Sequence, residues 1–444
     1  MTGARRRDWL QRGLLALPFL IGIAVLQGLT VEIETFHGTD ARVYQLPTIL
    51  QFSERLDFSD YPSAQTPLYH VLTAWWGELV GFELWKLRLL NVVFSYAMAL
   101  ALLRLLRRAT PLESWQAFAL TLLFVLSPYV LGVSFTLLTD NLAFLFALLA
   151  LERIHAYSRA RNLGAFALAC LAIAAALLTR QAFVWLVPVA AVLLLRADLR
   201  APGRLLAGGA LLALSLVPLG LLALEWNGLV PPSADPASCG LCEDRQGLAR
   251  EALTLRTVGF TVALAGAYGA LVFGPGLVRR LRRLRSSMFA GTYLSLSGRA
   301  GVVRRGIALV VGAGVLLLVI SPLLYKPITP QQAGDAGYLW QLSDRLPELF
   351  GSSLLFWLLV PLGCVVLYLL VGRAGIWSLP AVYLACFLVA ALPVRLVYQK
   401  YFDPFMLLAL ALLARPPDLR TRWDYAGIAV LYAAFVAYAF SFAD

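Results

Sequence analysis

Charged residues are scarce in this chain, and their scarcity argues against a soluble globular protein. Only 14% of the 444 residues are charged and 60% are hydrophobic, whereas about a quarter of a typical soluble domain is charged. The apolar segments also lack the two-residue alternation of a membrane β-barrel, since a segment such as 205–224 is continuously apolar. Because only helices and closed barrels satisfy the peptide backbone inside a bilayer, the sequence predicts an all-α, polytopic integral membrane protein.

Thirteen apolar segments approach the roughly 17–25 residues that a transmembrane helix needs. We expect about 13 transmembrane helices, within a range of 12–14. The pair 115–133 and 135–152 is joined by a very short outer turn, so a re-entrant pair is the alternative there. The predicted segments are 13–31, 86–104, 115–133, 135–152, 163–180, 182–196, 205–224, 256–278, 306–324, 352–372, 375–393, 401–415 and 425–442.

The charges that do occur are divided unequally between the two sides of the membrane. The side that holds the N-terminus carries 25 of the 37 lysines and arginines but only 6 of the 25 acids. This asymmetry places the N-terminus in the cytoplasm, so the net charge of +12 reflects topology and indicates no nucleic-acid partner. Arginine-rich, alanine-rich and leucine-rich usage is typical of a high-GC bacterial genome. We therefore predict the bacterial cytoplasmic (inner) membrane, with the functional site on the outer side.

Several further absences narrow the alternatives. No small-residue cleavage pattern follows the first apolar segment, which favours a retained signal anchor over a cleaved signal peptide. Cys239 and Cys242 have neither a second ligand pair for zinc nor a βαβ context for a redox motif, so a small structural disulfide is expected. His37 and Asp40 lie three residues apart, but no third metal ligand is near them in sequence. We expect no metal and no other cofactor.

The first outer loop, 32–85, is the longest polar segment. Its stretches 41–52 and 66–84 are too short and too polar to span the membrane, so they are predicted to lie as helices in the interface. Three carboxylates, Glu32, Glu34 and Asp40, follow the first helix directly, and they are candidates for chemistry at the outer face. Asp40 also stands where a polar turn starts an amphipathic stretch, so a helix N-cap worth about 1 kcal/mol is the competing interpretation.

Four short motifs, in the same order along the chain, resemble those of the GT-C glycosyltransferases. The resemblance is strongest to the α-1,2-glucosyltransferases that add the terminal glucose to the dolichol-linked oligosaccharide. The motifs are Asp40 followed by Pro67-Leu68-Tyr69, then Leu138-Thr139-Asp140, then 179–185 (Thr-Arg-Gln-Ala-Phe-Val-Trp), and finally 398–405 (Tyr-Gln-Lys-Tyr-Phe-Asp-Pro-Phe). Two positions depart from that family, because its Asp-Glu pair is Asp40-Ala41 here and its Arg-Tyr arginine is Lys400.

The resemblance implies a single transmembrane glycosyltransferase domain over 1–444, with 32–85 as its periplasmic or luminal catalytic loop. It implies inverting transfer of a hexose from a polyprenyl-phosphate sugar, similar to dolichyl-phosphate glucose, to a lipid-linked glycan or similar acceptor. A phosphate leaving group needs no general acid, so one carboxylate base suffices, unlike the two of glycoside hydrolysis. Asp40 is the first choice for that base and Glu34 the second.

The same resemblance implies cationic partners for the donor phosphate, namely Lys400, Arg395 and Arg180. It also implies a set of substrate-binding residues: His37, Tyr44, Tyr69, Asp140, Gln181, Gln399 and Tyr401. Ionisable side chains at membrane depth are costly and are functional candidates by default. Two structural alternatives stay open, a mutual ion pair between Arg180 and Asp140 and a snorkelling role for Lys400.

Two other functions remain open from the sequence. A transporter or flippase for a lipid-linked intermediate explains many helices with buried polar residues, but it does not explain the long outer loop. The sequence also lacks the internal repeats from which secondary transporters are usually built. A non-catalytic membrane scaffold is the third possibility, and it predicts that charge changes at Asp40, Arg180 and Lys400 affect stability alone.

Overall fold

The computed structural model describes residues 3–24, 40–234, 255–289, 296–323, 337–394 and 397–440. Helices dominate these ranges. Within them the strands are one short antiparallel pair, β1 (Glu348–Leu349) and β2 (Ser352–Ser353). The all-α class predicted from the sequence is confirmed.

The helices follow one another with short connections. Those of the N-terminal half are α1 (Gly3–Ala24), α2 (Leu46–Glu54), α3 (Leu68–Val80), α4 (Leu84–Ala109), α5 (Ser114–Leu126), α6 (Pro128–Leu131), α7 (Asp140–Ala160), α8 (Leu163–Thr179), α9 (Leu186–Asp198) and α10 (Pro202–Glu225). Those of the C-terminal half are α11 (Arg256–Phe289), α12 (Leu296–Ile320), α13 (Tyr338–Ser343), α14 (Leu354–Ala374), α15 (Leu379–Ala391), α16 (Asp403–Leu413) and α17 (Arg422–Phe440). Single turns of other helix types lie at Ala41–Gln45, Gly132–Phe135, Gln181–Trp185, Pro232–Ala234, Gln399–Tyr401 and Pro416–Leu419.

The chain forms two compact units. The first comprises Met1–Ala109, Val125–Glu251 and Tyr438–Asp444, and the second comprises Thr110–Phe124 and Ala252–Ala437. Each unit has its own buried apolar side chains, so each is described by itself below.

Every one of the thirteen predicted spans overlaps a helix. By length and composition, five helices of the described ranges qualify as membrane spans, or six if the bent pair Ser114–Leu126 with Pro128–Phe135 counts as one. Shorter apolar helices such as Asp403–Leu413 fill the other predicted segments. The chain is therefore a polytopic helical membrane protein, as its apolar composition predicts.

The predicted pair 115–152 contains a broken helix. Ser127 has an extended backbone (φ −51°, ψ 129°), which is the conformation favoured before a proline, and the helix turns by 67° at this point. In the first unit, buried amides satisfy the carbonyls that the break exposes, because Asn91 Nδ2 donates to Val133 O (2.8 Å) and Asn141 Nδ2 donates to Val130 O (3.0 Å). Irregular backbone at membrane depth requires such internal partners.

Arginines bind most of the acids on the side that we predict to be cytoplasmic. These pairs lie within one unit or the other, never across them: Arg107 with Asp8 (2.5 Å), Arg104 with Glu152 (2.9 Å), Arg204 with Asp198 (2.9 Å), Arg373 with Asp418 (2.7 Å) and Arg279 with Asp424 (2.7 Å). Pairing lowers the cost of holding these acids at the membrane boundary, and it ties each helix end to a neighbour.

Two glycines bring the backbones of α11 and α14 together in the second unit. A Cβ atom added to Gly266 would lie 2.1 Å from Leu359 O, and one added to Gly363 would lie 1.9 Å from Val262 O. Helices in membranes associate through such close contacts between small residues. This crossing therefore fixes the centre of the second unit.

Candidate active site

Asp40 opens the described part of the first outer loop. Its backbone is helical (φ −55°, ψ −44°), and a π-helical turn, Ala41–Gln45, follows it and leads into α2. The N-cap interpretation is wrong, because the Asp40 side chain makes no capping hydrogen bond to this turn. Single π turns are frequent at functional sites, so the position suits a residue with a chemical role.

A hydrogen bond joins this turn to α3. His70 Nε2 lies 2.6 Å from Gln45 Oε1, and Ser63 Oγ lies 3.3 Å from the same oxygen. Both Gln45 and His70 are buried. Burial lowers the pKa of His70 to about 3, so its imidazole is neutral throughout the physiological pH range.

Aromatic rings enclose His70 on several sides. Its ring centroid lies 5.5 Å from that of Tyr69, 6.2 Å from Tyr61 and 6.3 Å from Phe52, all within the apolar core of the first unit. Trp226 packs edge-on against Tyr61 with centroids 5.9 Å apart. The surroundings of the imidazole are therefore apolar except for its contacts with neighbouring polar atoms.

The loop between α2 and α3 is held by hydrogen bonds from distant parts of the first unit. Trp226 Nε1 donates to Phe58 O (2.7 Å), and the Ser233 N–H donates to Asp60 Oδ1 (2.7 Å). At the start of α3, Thr66 Oγ1 donates to Leu177 O (2.7 Å). These contacts give the outer loop a defined structure and place it against the end of α8.

Arg180 and Asp140 form an ion pair, as the structural alternative for these two residues predicted. Asp140 begins α7, and Arg180 follows the last residue of α8. The carboxylate also lies close enough to Tyr69 to add to the effect of burial, and together they raise the pKa of that phenol well above its ordinary value. Tyr69, Asp140 and Arg180 therefore meet in one part of the first unit.

Gln181 and Tyr44 lie in the same unit. Gln181 Nε2 donates to Ala64 O (2.7 Å) and Leu229 O (3.2 Å), whereas its Oε1 is buried without a hydrogen-bond partner in the described residues. The Tyr44 carbonyl accepts a hydrogen bond from Thr48 Oγ1 (2.8 Å). A chain of contacts thus runs from the turn after Asp40 through His70 and Tyr69 to the ion pair.

Lys400 belongs to the second unit. Its ammonium nitrogen lies 5.7 Å from the ring centroid of Tyr398 and 5.2 Å from that of Tyr401. Such contacts between a cation and two aromatic faces restrict the side chain more than snorkelling into headgroups does. Asp40 and Arg180 lie in the other unit.

Gln399 is buried, and hydrogen bonds occupy both ends of its amide. Its Oε1 accepts from the Leu339 N–H (2.9 Å), and its Nε2 donates to Asp403 Oδ1 (3.2 Å). Tyr268 and Tyr338 also donate to this aspartate oxygen. These contacts favour a positioning role for Gln399, holding the turn that carries Lys400, over direct contact with substrate.

Some predicted site residues lie outside the described ranges. They are Glu32, Glu34, His37, Arg395, Cys239 and Cys242. No group of three or more histidine, cysteine or acidic side chains suited to a metal occurs within the ranges that the structure describes.

Four residues of interest escaped the sequence analysis. Gln45 and His70 were given no role, although a histidine in a nearly uncharged helix is a signal in itself. Arg88 is buried near the start of the membrane-length helix α4, and Asp403 is buried at the start of α16. The rule that ionisable residues at membrane depth are functional candidates applies to both.

Comparison with known proteins gives only distant similarity. No family model and no curated protein matches this sequence. The crystal structure of ArnT from Cupriavidus metallidurans bound to undecaprenyl phosphate is similar, with 16% identity, a TM-score of 0.39, and coverage of 91% of this chain and 78% of that one. ArnT in the apo state gives 17% identity, a TM-score of 0.37 and the same coverage. TM-scores this low do not establish a common fold, so the fold assignment rests on the helices themselves.

Proposed function

We propose that this protein is a GT-C-type glycosyltransferase that moves a hexose from a polyprenyl phosphate to a lipid-linked glycan or similar acceptor outside the cytoplasm. One observation carries the proposal. Asp40 stands on an outer-loop π turn that its side chain does not cap, and that turn is linked by contacts to a cation, Arg180, in the same unit. The ordered motifs around Asp40, Asp140, Arg180 and Lys400 support the same class.

The reaction is a direct displacement at the anomeric carbon. The acceptor hydroxyl oxygen forms the new bond to that carbon, and the bond from carbon to the phosphate oxygen breaks with its electron pair leaving on the phosphate. Asp40 accepts the proton of the hydroxyl, as a general base. Attack from the face opposite the leaving group inverts the configuration at carbon.

The departing phosphate gains negative charge, and Arg180 is the cation proposed to stabilise it. A guanidinium can bind two phosphate oxygens at once. Asp140 holds Arg180 in place and offsets its charge before the donor binds. Lys400 is proposed as a donor-phosphate contact of the second unit, where Tyr398 and Tyr401 restrict its ammonium.

The first experiment replaces the proposed base. The purified full-length chain, in liposomes, is given an undecaprenyl-phosphate hexose and a lipid-linked glycan acceptor, and sugar transfer is measured. Asp40→Asn is expected to lower kcat by about 100- to 10,000-fold, the usual contribution of a general base. Asp57→Asn is the matched control, because Asp57 is a carboxylate of the same loop that is bound by Ser59 and Arg55.

The outcomes separate cleanly. Equal turnover by Asp40→Asn and the wild type would show that Asp40 is not the base. Movement of the lipid-linked substrate across the bilayer, without any transfer of sugar, would replace the proposal with a flippase.

The second experiment tests the phosphate partner. Arg180→Gln is expected to lower kcat about 100-fold or more, because one charge-stabilising donor contributes roughly that much to a transition state. Asp140→Asn leaves the guanidinium present and is expected to cost less. Equal losses in the two variants would mean that the pair serves structure alone.

A further inference from the structure

The π turn that begins after Asp40 depends on side-chain support. It contains five residues, and the Leu46 N–H closes it by donating to Ala41 O. A single π turn has poor intrinsic stability and persists where its surroundings hold it. Because the turn closes over five residues, fixing Gln45 at its end also fixes the rotation of the backbone at Asp40.

Gln45 is fixed from α3. Its buried carbonyl oxygen meets His70 Nε2 at 2.6 Å and Ser63 Oγ at 3.3 Å. Thr48 Oγ1 adds a second tie, since it contacts both Tyr44 O (2.8 Å) and the Ser63 N–H (3.1 Å). The short distance and full burial make the contact between Gln45 and His70 the strongest of these, because a buried polar group left without its partner is costly.

His70 is suited to hold the turn rather than to transfer a proton. It has no exposed surface, and Phe52, Tyr61 and Tyr69 surround it. Its neutral state does not change over the pH range in which a glycosyltransferase works. A rigid, neutral partner keeps the turn in one position at every such pH.

We propose that Gln45 and His70 are positioning residues that hold the turn beginning after Asp40 and thereby set the placement of its carboxylate at the acceptor hydroxyl. This inference rests on the proposed function. Neither residue touches substrate in it; both act through Asp40. Misplacement of a catalytic group by about 1 Å can cost 100-fold in rate, so weakening this contact is expected to affect kcat strongly.

The experiment compares three variants of the full-length protein in liposomes with the undecaprenyl-phosphate hexose donor. Gln45→Met and His70→Phe remove the contact at similar side-chain volume, and each is expected to lower kcat about 10- to 100-fold with little change in the KM for the donor. His70→Gln keeps a nitrogen donor and is expected to recover most of the loss.

Tyr61→Phe is the matched control. It removes a hydrogen bond of the same buried cluster, from Tyr61 Oη to Gln65 O (2.8 Å), that does not touch the π turn. Its kcat is expected to equal that of the wild type. Equal losses of kcat in Tyr61→Phe and His70→Phe would overturn the inference, because general damage to the cluster would then explain both.

Hydrogen–deuterium exchange of the peptide covering 40–46 gives a readout that needs no turnover. Exchange is expected to be about tenfold faster in Gln45→Met and His70→Phe, because local opening loses one hydrogen bond to resist it. Unchanged exchange would overturn the inference. If the variants lose protection but Asp40→Asn stays active, the contact holds the turn and the assignment of the base fails instead.

Discussion

The crossing of α11 and α14 leads to a quantitative prediction about the second unit. In Gly363→Ala the new methyl group would lie 1.9 Å from Val262 O and 2.9 Å from Gly266 N. Both neighbours are backbone atoms of a packed helix, so neither can rotate away as a side chain would. The two helices must therefore move apart by more than about 1 Å to restore an ordinary contact, which weakens the packing on both sides of the crossing.

The cost follows from two opposing terms. Overpacking a well-packed site typically costs about 1–3 kcal/mol, and backbone contact places this site at the upper end. Replacement of glycine by alanine inside a helix returns about 1 kcal/mol through helix propensity. We expect a net loss of about 2 kcal/mol, which lowers the apparent Tm by about 4–8 °C for a unit of this size.

Thermal unfolding of the purified chain in detergent, followed by tryptophan fluorescence, measures this shift. Gly372→Ala is the matched control, because Gly372 lies on the same helix and a Cβ there meets nothing within 4 Å. Its Tm is expected to stay the same or to rise slightly. Gly266→Ala should resemble Gly363→Ala, and the double variant should lose less than the two single losses added, since the first methyl already separates the helices.

A Gly363→Ala protein as stable as Gly372→Ala would refute the reasoning. It would mean that the two backbones do not approach each other at Gly266 and Gly363. A fall in Tm that is equally large in the control would refute it in another way, because the loss would then come from substitution anywhere on this helix.

Three further predictions concern titration, the broken helix and a buried ion pair. The pKa of His70 is lower in the folded than in the unfolded chain, so the unfolded chain binds more protons below pH 6.5; the unfolding free energy of the wild type should fall by about 2 kcal/mol more than that of His70→Phe between pH 8 and pH 5, and parallel pH profiles would contradict this. Asn141→Ala should lower the unfolding free energy by about 1–3 kcal/mol, because its amide binds Ser95 Oγ (2.8 Å) and the broken helix, and Tm measurement in detergent checks it. Arg373→Met should cost about 3–5 kcal/mol by leaving Asp418 buried and unpaired, and Arg373→Lys should recover only part of this in the same assay, since lysine lacks the bidentate geometry.

The helical part of this structure could be predicted from sequence because it depends on local composition. A run of about 20 apolar residues must form a helix in a bilayer, whatever its neighbours are. The bend at Ser127 and Pro128 was foreseeable only as an uncertain pair of segments, since proline marks where a helix breaks but not how far it turns. The partners Asn91 and Asn141, which make the break tolerable, come from helices distant in sequence.

The site shows the same division. Sequence patterns singled out Asp40, Asp140 and Arg180, because charged residues stand out in an apolar chain, and the ion pair between the last two is confirmed. The N-cap interpretation of Asp40 was wrong because capping depends on side-chain direction, which composition does not encode. A π turn in place of an ordinary helix start likewise has no sequence signature.

By itself, the sequence determined that this protein lies in a membrane, where its helices fall and which segment carries the outer carboxylates. These properties follow from the transfer of each segment into hydrocarbon and are nearly independent of distant contacts. Only the tertiary structure decided that Gln45 meets His70, that Arg180 meets Asp140 and that glycines bring α11 and α14 together. Each of these depends on distances between residues far apart in the chain, which are set by packing and not by local composition.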